Sequence, residues 1–203
     1  SSSLPFGVRE LCHSPGCAKR PMKELFYCDG HLEELSEHFM GVVDDVLEVC
    51  TGTTYIGRSH FPEQRLLQHM AKSERNVLTL LHWTGSRRAM HLLEWIHVNI
   101  HREAGEVCNA SGNTDGPMWG DWHCLYVSWE RDPNRKWPRR FGAPILVDSP
   151  ADGRRLVPVV ESGPSAPVHL ISGLSKAEAK RALDGWRRWK DENPVLAMAD
   201  PDE

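Results

Sequence analysis

Cysteine and histidine side chains are concentrated near the start of the chain, where they could hold a metal ion. Cys12, Cys17, Cys28 and His31 follow one another at the spacing C-x4-C-x10-C-x2-H. Thiolate and imidazole ligands in this number suit a tetrahedral Zn²⁺ ion. Since so short a segment buries little apolar surface, the metal would supply much of its folding energy. The sequence therefore predicts a structural zinc site. The alternatives are free thiols in a loop, or His13 in place of His31.

A single carboxylate interrupts an apolar helical pattern in the middle of the chain. Residues 86–102 predict a helix with Ser86 as its N-cap, and Glu94 stands in it between Leu93 and Trp95. A carboxylate in such a position is costly unless it faces a cleft or a partner. Glu94 is therefore the strongest single candidate for a functional side chain.

Four short motifs, in this order along the chain, resemble the GIY-YIG nuclease family. The YIGRS segment at residues 55–59 matches the family's second motif, and the helix that follows has the Arg-x3-His spacing. The segment AMHLLEWI matches the family's helix with one Glu, and CNASGNTDG matches a Gly-rich loop that carries an Asn. The N-terminal segment resembles small C-x4-C…C-x2-H zinc modules. The residues that match the nuclease motifs are Tyr55, Gly57, Arg65, His69, Glu94 and Asn109, with Asn113 as the alternative to Asn109.

The resemblance implies metal-dependent hydrolysis of nucleic-acid phosphodiester bonds, with DNA expected rather than RNA. Glu94 would hold Mg²⁺ or Mn²⁺, and Arg65 would bind the scissile phosphate through its forked guanidinium. Tyr55 and His69 would assist proton transfer, and Asn109 would complete the catalytic set. The basic side chains expected to contact the substrate backbone are Arg58, Arg87 and Arg88.

The family's first motif is missing from this chain. Where the family has the Tyr of that motif, the segment VVDDV places Asp44. We expect residues 42–49 and 53–57 to form a hairpin around Thr51-Gly52, because both runs are rich in β-branched residues. Asp44 or Asp45 could then add a metal ligand beside Glu94.

Two other functions fit parts of the sequence. Loss of the first motif and the acidic total charge favour a catalytically dead adaptor that binds nucleic acid or protein. Glu94, His97 and His101 stand on one helical face and could form a second transition-metal site, although the HExxH spacing of zinc hydrolases is absent.

The elements that would position these residues belong to an α+β fold. A small antiparallel sheet flanked by helices, similar to the GIY-YIG domain, is expected over residues 39–131. A zinc-binding module at 1–38 precedes it, and a hairpin-helix extension at 132–203 follows. Further expected elements are helices at 32–40, 62–72 and from Ser175 to about Asp191, strands at 77–83 and 125–129, and a hairpin joining 145–148 to 155–160.

Composition limits the partners and the compartment. The 203 residues are 40% hydrophobic and 26% charged, with 24 basic and 28 acidic residues, which fits a globular chain and excludes wholesale disorder. Because the net charge is −4, nucleic-acid binding would require local positive charge, which residues 58–102 and 131–140 supply. No apolar run is long enough to span a bilayer, so no membrane partner is expected. Because no targeting signal is recognised in the sequence, we expect the protein to lie in the nucleus or the cytoplasm. Trp186 and Trp189, on one face of the last helix, pack on the main domain or contact a partner.

Overall fold

The computed structural model describes Cys17, Lys19 and residues 28–109, 122–149 and 166–193. Its α+β architecture is a five-stranded mixed sheet that does not close. Among the described helices, none has both the length and the apolar character needed to cross a membrane. The elements are helices α1 (Asp29–Leu47), α2 (Pro62–Lys72), α3 (Arg87–Glu103) and α4 (Lys176–Glu192), and strands β1 (Thr54–Ser59), β2 (Val77–Thr84), β3 (His123–Trp129), β4 (Ile145–Leu146) and β5 (Val168–Ile171).

The sheet has the strand order β1-β3-β2-β5-β4 and lies between two layers of helices. Every residue of β2 and β3 is buried, as expected for central strands that are covered on both faces. One face packs against apolar residues of α1 and α3, and the other against apolar residues of α2 and α4. Strand β1 is left at one edge of the sheet, with β3 as its antiparallel partner.

Local signals in the sequence explain most of these elements. Pro62 begins α2, where its missing N–H costs nothing. The Ser86 hydroxyl caps α3 by accepting from the Ala89 N–H. Ser175 and Glu178 form the reciprocal capping box that begins α4. The predicted helices at 62–72 and 86–102 and the helix after Ser175 are therefore confirmed, as are the strands at 77–83 and 125–129.

The hairpin predicted around Thr51-Gly52 is wrong, because residues 42–47 belong to helix α1. Its valines suggested a strand, but their spacing continues the helical pattern predicted for residues 32–40. The side chains that α1 buries follow intervals of three and four residues, namely Leu32, Leu35, Phe39, Val42, Val43 and Val46. The segment where the family's first motif would lie is therefore a helix packed on the sheet.

The prediction of a purely antiparallel sheet is also wrong. The short strand β4 runs parallel to β5, pairing Ile145 with Leu170, so the C-terminal extension adds two strands to the main sheet. These two strands do not form a hairpin with each other; residues 155–160, the second strand of the predicted hairpin, lie outside the described residues. The packing predicted for Trp186 is confirmed, since its buried ring lies edge-on to Phe61.

A buried histidine network joins this extension to the central strands. The indole N–H of Trp129 donates to the Thr79 hydroxyl at 2.9 Å, and that hydroxyl shares a hydrogen bond of 2.8 Å with Nδ1 of His169. The Phe141 ring stacks on the imidazole with centroids 4.6 Å apart. Burial lowers the pKa of His169 to about 4, so the imidazole is neutral at neutral pH.

We expect His169 to make folding stability fall in mild acid. Because its folded pKa, about 4, lies below the ordinary 6.5, the unfolded chain binds the proton first as the pH drops. The contribution of neutral His169 to the free energy of unfolding is complete above pH 6.5. It amounts to about 3 kcal/mol and is lost as the pH falls toward 4. Urea unfolding across this range should show a shallower decline for His169→Gln than for the wild type. An identical decline in the two proteins would contradict this assignment.

Candidate functional site

The candidate site lies along the edge strand β1, and its side chains leave that strand in two directions. Because side chains alternate along a strand, Tyr55 and Gly57 face α2 whereas Ile56 and Arg58 face α3. Their contacts agree, since Ile56 packs in the core beneath α3 and Arg58 bonds to a side chain of that helix. The structure thus divides the predicted site between the two faces of one edge strand.

On the α2 face, two tyrosines and a histidine pack together. The rings of Tyr55 and His69 have centroids 5.0 Å apart, and Nε2 of His69 is hydrogen-bonded to the Tyr126 hydroxyl at 3.1 Å. Tyr126 stands opposite Gly57 in the sheet register. A Cβ at Gly57 would lie 2.7 Å from the Tyr126 hydroxyl and 2.8 Å from the Tyr55 ring. The glycine of the YIGRS segment therefore leaves room for both aromatic rings.

Burial controls the protonation of this group. It lowers the pKa of His69 to about 3, with smaller contributions from the charges of Arg75, Arg65 and Lys72, so the imidazole is neutral at neutral pH. Burial, helped by the negative charge of Glu94, raises the pKa of Tyr55 above its ordinary value. The pair therefore offers a neutral imidazole and a protonated phenol.

On the α3 face, Glu94 is held by a buried ion pair. Nη1 of Arg58 donates to Oε2 of Glu94 and to Nδ1 of His91, each at 2.6 Å. The side chains of Arg58 and Glu94 are only 8% and 9% exposed. Arg58, which was predicted to contact substrate, is thus turned toward the carboxylate that was predicted to hold the metal.

The burial of Glu94 changes its acidity. Burial raises the pKa of this carboxyl to about 7, against the opposing charges of Arg58 and Arg65. The carboxylate that stands between Leu93 and Trp95 is therefore buried and has a charged partner, Arg58.

Arg65 is the residue that acts on both faces. It is exposed on α2, and its Nη1 donates to Oε1 of Gln68 at 2.8 Å. Its positive charge lowers the pKa of Tyr55, His69 and Glu94. This contribution is smaller than that of burial, which raises the pKa of Tyr55 and Glu94 and lowers that of His69. Arg65 and His69 are four residues apart on α2, so an anion bound at Arg65 would lie on the helix face that carries His69.

The remaining predicted residues lie around this strand. Asn109 hydrogen-bonds to the backbone of β1 through both ends of its side-chain amide. Its Oδ1 accepts from the Ile56 N–H at 3.1 Å, and its Nδ2 donates to the Ile56 carbonyl at 2.8 Å. Arg87 and Arg88 are exposed in the first turn of α3. Arg87 is seven residues before Glu94, so the two share a helix face about 10 Å apart.

Three of the four predicted zinc ligands come together at the start of α1. The ligand atoms of Cys17, Cys28 and His31 all lie within 4.8 Å of one another, and this group could hold a metal ion such as zinc. Cys28 is also the N-cap of α1 and packs against Ala89 of α3. Cys12, the fourth predicted ligand, lies outside the described residues.

Two metal sites considered from the sequence do not form. Asp44 and Asp45 are exposed on α1, and Asp45 lies 3.6 Å from Arg140 rather than beside Glu94. His97 hydrogen-bonds to Ser36, and within the described residues the Cys17–Cys28–His31 group is the only set of three or more such ligands that meets. The ligand atoms of Glu94, His97 and His101 therefore do not meet as a group in the described structure.

Sequence reasoning missed three contributors. Tyr126 gives no signal beyond its place in an alternating strand, although its register opposite Gly57 puts it in the site. His91 precedes Glu94 by three residues, a spacing that could have identified it. Arg75 lies over the Tyr55 ring, 5.4 Å from its centroid, and follows α2 without a motif of its own.

Comparison of the chain with family models, with curated proteins and with solved structures finds no match in any of the three.

We expect Cys28→Ser to remove bound zinc and lower the unfolding temperature, because the Cys28 sulfur is one of the three ligand atoms that meet at the start of α1. Zinc content by mass spectrometry under native conditions and thermal unfolding measure the two effects. Cys50→Ser is the matched control, since the Cys50 thiol donates to the Gly52 carbonyl away from the cluster. Equal zinc content in both variants would contradict the assignment.

Gly57→Ala should destabilise the protein by about 1–3 kcal/mol, because the new methyl group overpacks the buried Tyr126. Gly41→Ala is the control, since a Cβ there meets nothing within 4 Å and alanine favours the helix. Urea unfolding compares the two. Similar free energies of unfolding for the two variants would show that the Tyr55 and Tyr126 rings can move aside, which would contradict tight packing against Gly57.

Proposed function

We propose that the protein is a metal-dependent endonuclease that hydrolyses phosphodiester bonds, in DNA rather than RNA. Glu94 holds the metal ion and Arg65 binds the scissile phosphate. Tyr55 and His69 assist proton transfer. The YIGRS strand and the two helices after it, which resemble the GIY-YIG nucleases in sequence, support this assignment because all four residues lie on these three elements.

The observation that supports the proposal is the edge strand β1, where the Tyr55 ring lies 5.0 Å from the His69 ring on one face and Arg58 bonds to Glu94 on the other. Arg65 is exposed on α2, four residues before His69 on the same helix. A guanidinium is suited to two oxygens of one phosphate. A phosphodiester held there would meet the phenol and imidazole from one side and the carboxylate from the other.

The protonation states support a division of labour between Tyr55 and His69. The neutral imidazole of His69 can accept a proton from an attacking water, directly or through the hydroxyl of Tyr126. Because a pKa of about 3 makes this imidazole a weak base, the metal ion would have to lower the pKa of that water. The raised pKa of Tyr55 keeps its phenol protonated, so it can donate to the leaving oxygen. Water then adds its oxygen to phosphorus as the bond to the leaving oxygen breaks.

The donor set of the α3 face fits a hard divalent cation through one carboxylate. Mg²⁺ is commonly held by one or two carboxylates and takes its other ligands from water and substrate phosphate. Glu94 would be such a ligand, and an ion there would supply positive charge to the phosphate. Arg58 would have to release Oε2 of Glu94, at least in part, for that oxygen to bind a metal.

Other residues take supporting roles in this proposal. Asn109 is a positioning residue, because both ends of its amide are engaged on the Ile56 backbone. Arg87 and Arg88 contact the backbone of the substrate beyond the reacting phosphate. The Cys17–Cys28–His31 group, completed by Cys12, binds zinc and fixes the start of α1.

The alternative function is a catalytically dead adaptor, and the Arg58–Glu94 pair favours it. An arginine that saturates the carboxylate needs no metal, and the helix at residues 42–47 replaces the strand of the family's first motif. In that case the same basic surface would bind nucleic acid, or a protein partner, without cleaving it.

Glu94→Gln should lower metal-dependent DNA cleavage by about 100-fold or more, because the amide still accepts from Arg58 but holds a cation poorly. Labelled single-stranded, duplex and branched DNA and RNA, with Mg²⁺ or Mn²⁺, are the substrates. Glu103→Gln, an exposed change on the same helix, should cleave as the wild type does.

The outcomes separate the two functions. Cleavage that both variants retain would overturn the role of Glu94. Binding without cleavage by the wild type under every condition would establish the adaptor. If the wild type neither binds nor cleaves nucleic acid, the nuclease and the nucleic-acid adaptor both fail, and an adaptor for a protein partner is left.

A further inference from the structure

A basic groove lies between α2 and α4, next to the candidate site but outside it. The groove has a volume of about 410 Å³, and its floor includes Ala71 and Leu183. The cations that line it are Arg65 and Lys72 from α2 and Lys180 and Arg187 from α4. Arg65 belongs to the candidate site as well, so the groove begins where the phosphate is expected.

The charges of the groove are poorly neutralised. Arg187 pairs with Asp184 at 2.9 Å, but both side chains are more than half exposed, where such a pair is weak. Within the part of the chain that the structure describes, Lys72 and Lys180 make no ion pair. The nearby Glu74 is engaged by Lys176 at 3.1 Å. The groove therefore carries excess positive charge in a protein whose net charge is −4.

The spacing of the cations matches a nucleic-acid strand. Arg65 and Lys72 are seven residues apart on one helix, and Lys180 and Arg187 are seven apart on the other, about 10 Å in each case. One strand of B-form DNA presents about three phosphates over that length, since its rise is about 3.4 Å per nucleotide. Two cation rows flanking a groove suit a chain of phosphates better than a single small anion.

We infer that this groove is the track along which the sugar-phosphate backbone of the nucleic acid runs from the reacting phosphate at Arg65 across the C-terminal helix. The inference rests on the proposed function for the identity of the ligand. It gives α4 a role in substrate binding, which neither the nuclease motifs nor the zinc segment contains. The track reads no bases, because its charged side chains suit phosphate oxygens.

The test compares two pairs of charge reversals on the same helix. Lys180→Glu with Arg187→Glu changes the groove, whereas Arg181→Glu with Arg188→Glu makes the same change in charge at the same spacing outside it. Fluorescein-labelled short duplex DNA, single-stranded DNA and RNA of one sequence are titrated by anisotropy without added divalent cation, at several salt concentrations. Thermal unfolding shows whether each variant is folded. If the charge-reversal variant of the groove does not fold, the double variant Lys180→Gln with Arg187→Gln replaces it in the titrations.

We expect the groove variant to bind DNA about 10-fold or more weakly, and the salt dependence of log K to lose about two units of slope. The control variant should stay within a few-fold of the wild type. Equal losses in both pairs would attribute the effect to net charge and overturn the track, as would equal binding by all three proteins. Failure of the track is distinguishable from failure of the nuclease, because wild-type cleavage that requires Glu94 would persist. A wild type that binds no probe overturns both.

Discussion

The guanidinium of Arg58 and the carboxylate of Glu94 meet at 2.6 Å in a contact that is almost closed to solvent. Each charge alone would be expensive to bury, and removing one partner of such a pair costs about 3–5 kcal/mol. The contact therefore joins α3 to the edge strand β1 at a fixed point. His91 takes part in the same fork of hydrogen bonds and limits the direction of the guanidinium. The rest of the candidate site is arranged around this edge.

A second close approach fixes the opposite face of β1. Gly57 lies across from Tyr126 with no room for a Cβ, so the Tyr55 and Tyr126 rings pack over the backbone of the strand. Asn109 supplies the backbone partners that an edge strand otherwise lacks at Ile56. The edge of the sheet is thus held from three sides, which is what a site built on two faces of one strand requires.

The sequence predicted the parts of this fold whose local signals agree with their packing. Helices α2, α3 and α4 combine a capping or Pro signal with helical periodicity, and β2 and β3 are short runs of apolar and aromatic residues. Helix α1 was partly mistaken because Val42, Val43 and Val46 favour strands individually, whereas only their spacing against Phe39 indicates a helix. The parallel pairing of β4 with β5 depends on contacts between distant segments, which carry no local signal.

The candidate site was predictable in its residue types but not in its arrangement. The spacing of Arg65 and His69 places them on one helix face, and Glu94 stands out between its apolar neighbours in the sequence, so both features follow from sequence. The division of Tyr55 and Arg58 between the two faces follows from strand alternation, yet its consequence depends on which helix covers which face. The contact between Arg58 and Glu94 could not be read from their separation in the chain, because it depends on how α3 packs on the edge strand.

Charge balance at this pair limits how a metal and a substrate could enter together. In the ion pair, the charges of Arg58 and Glu94 cancel, so a divalent cation that arrives alone adds two uncompensated positive charges to a buried place. A phosphodiester brings one negative charge, and Arg58, once displaced from Oε2, could join Arg65 in compensating it. In a nuclease of this design, polyanion and metal would therefore favour each other's binding, since each relieves a cost that the other imposes. An adaptor would keep the ion pair closed, and its nucleic-acid affinity would be indifferent to Mg²⁺.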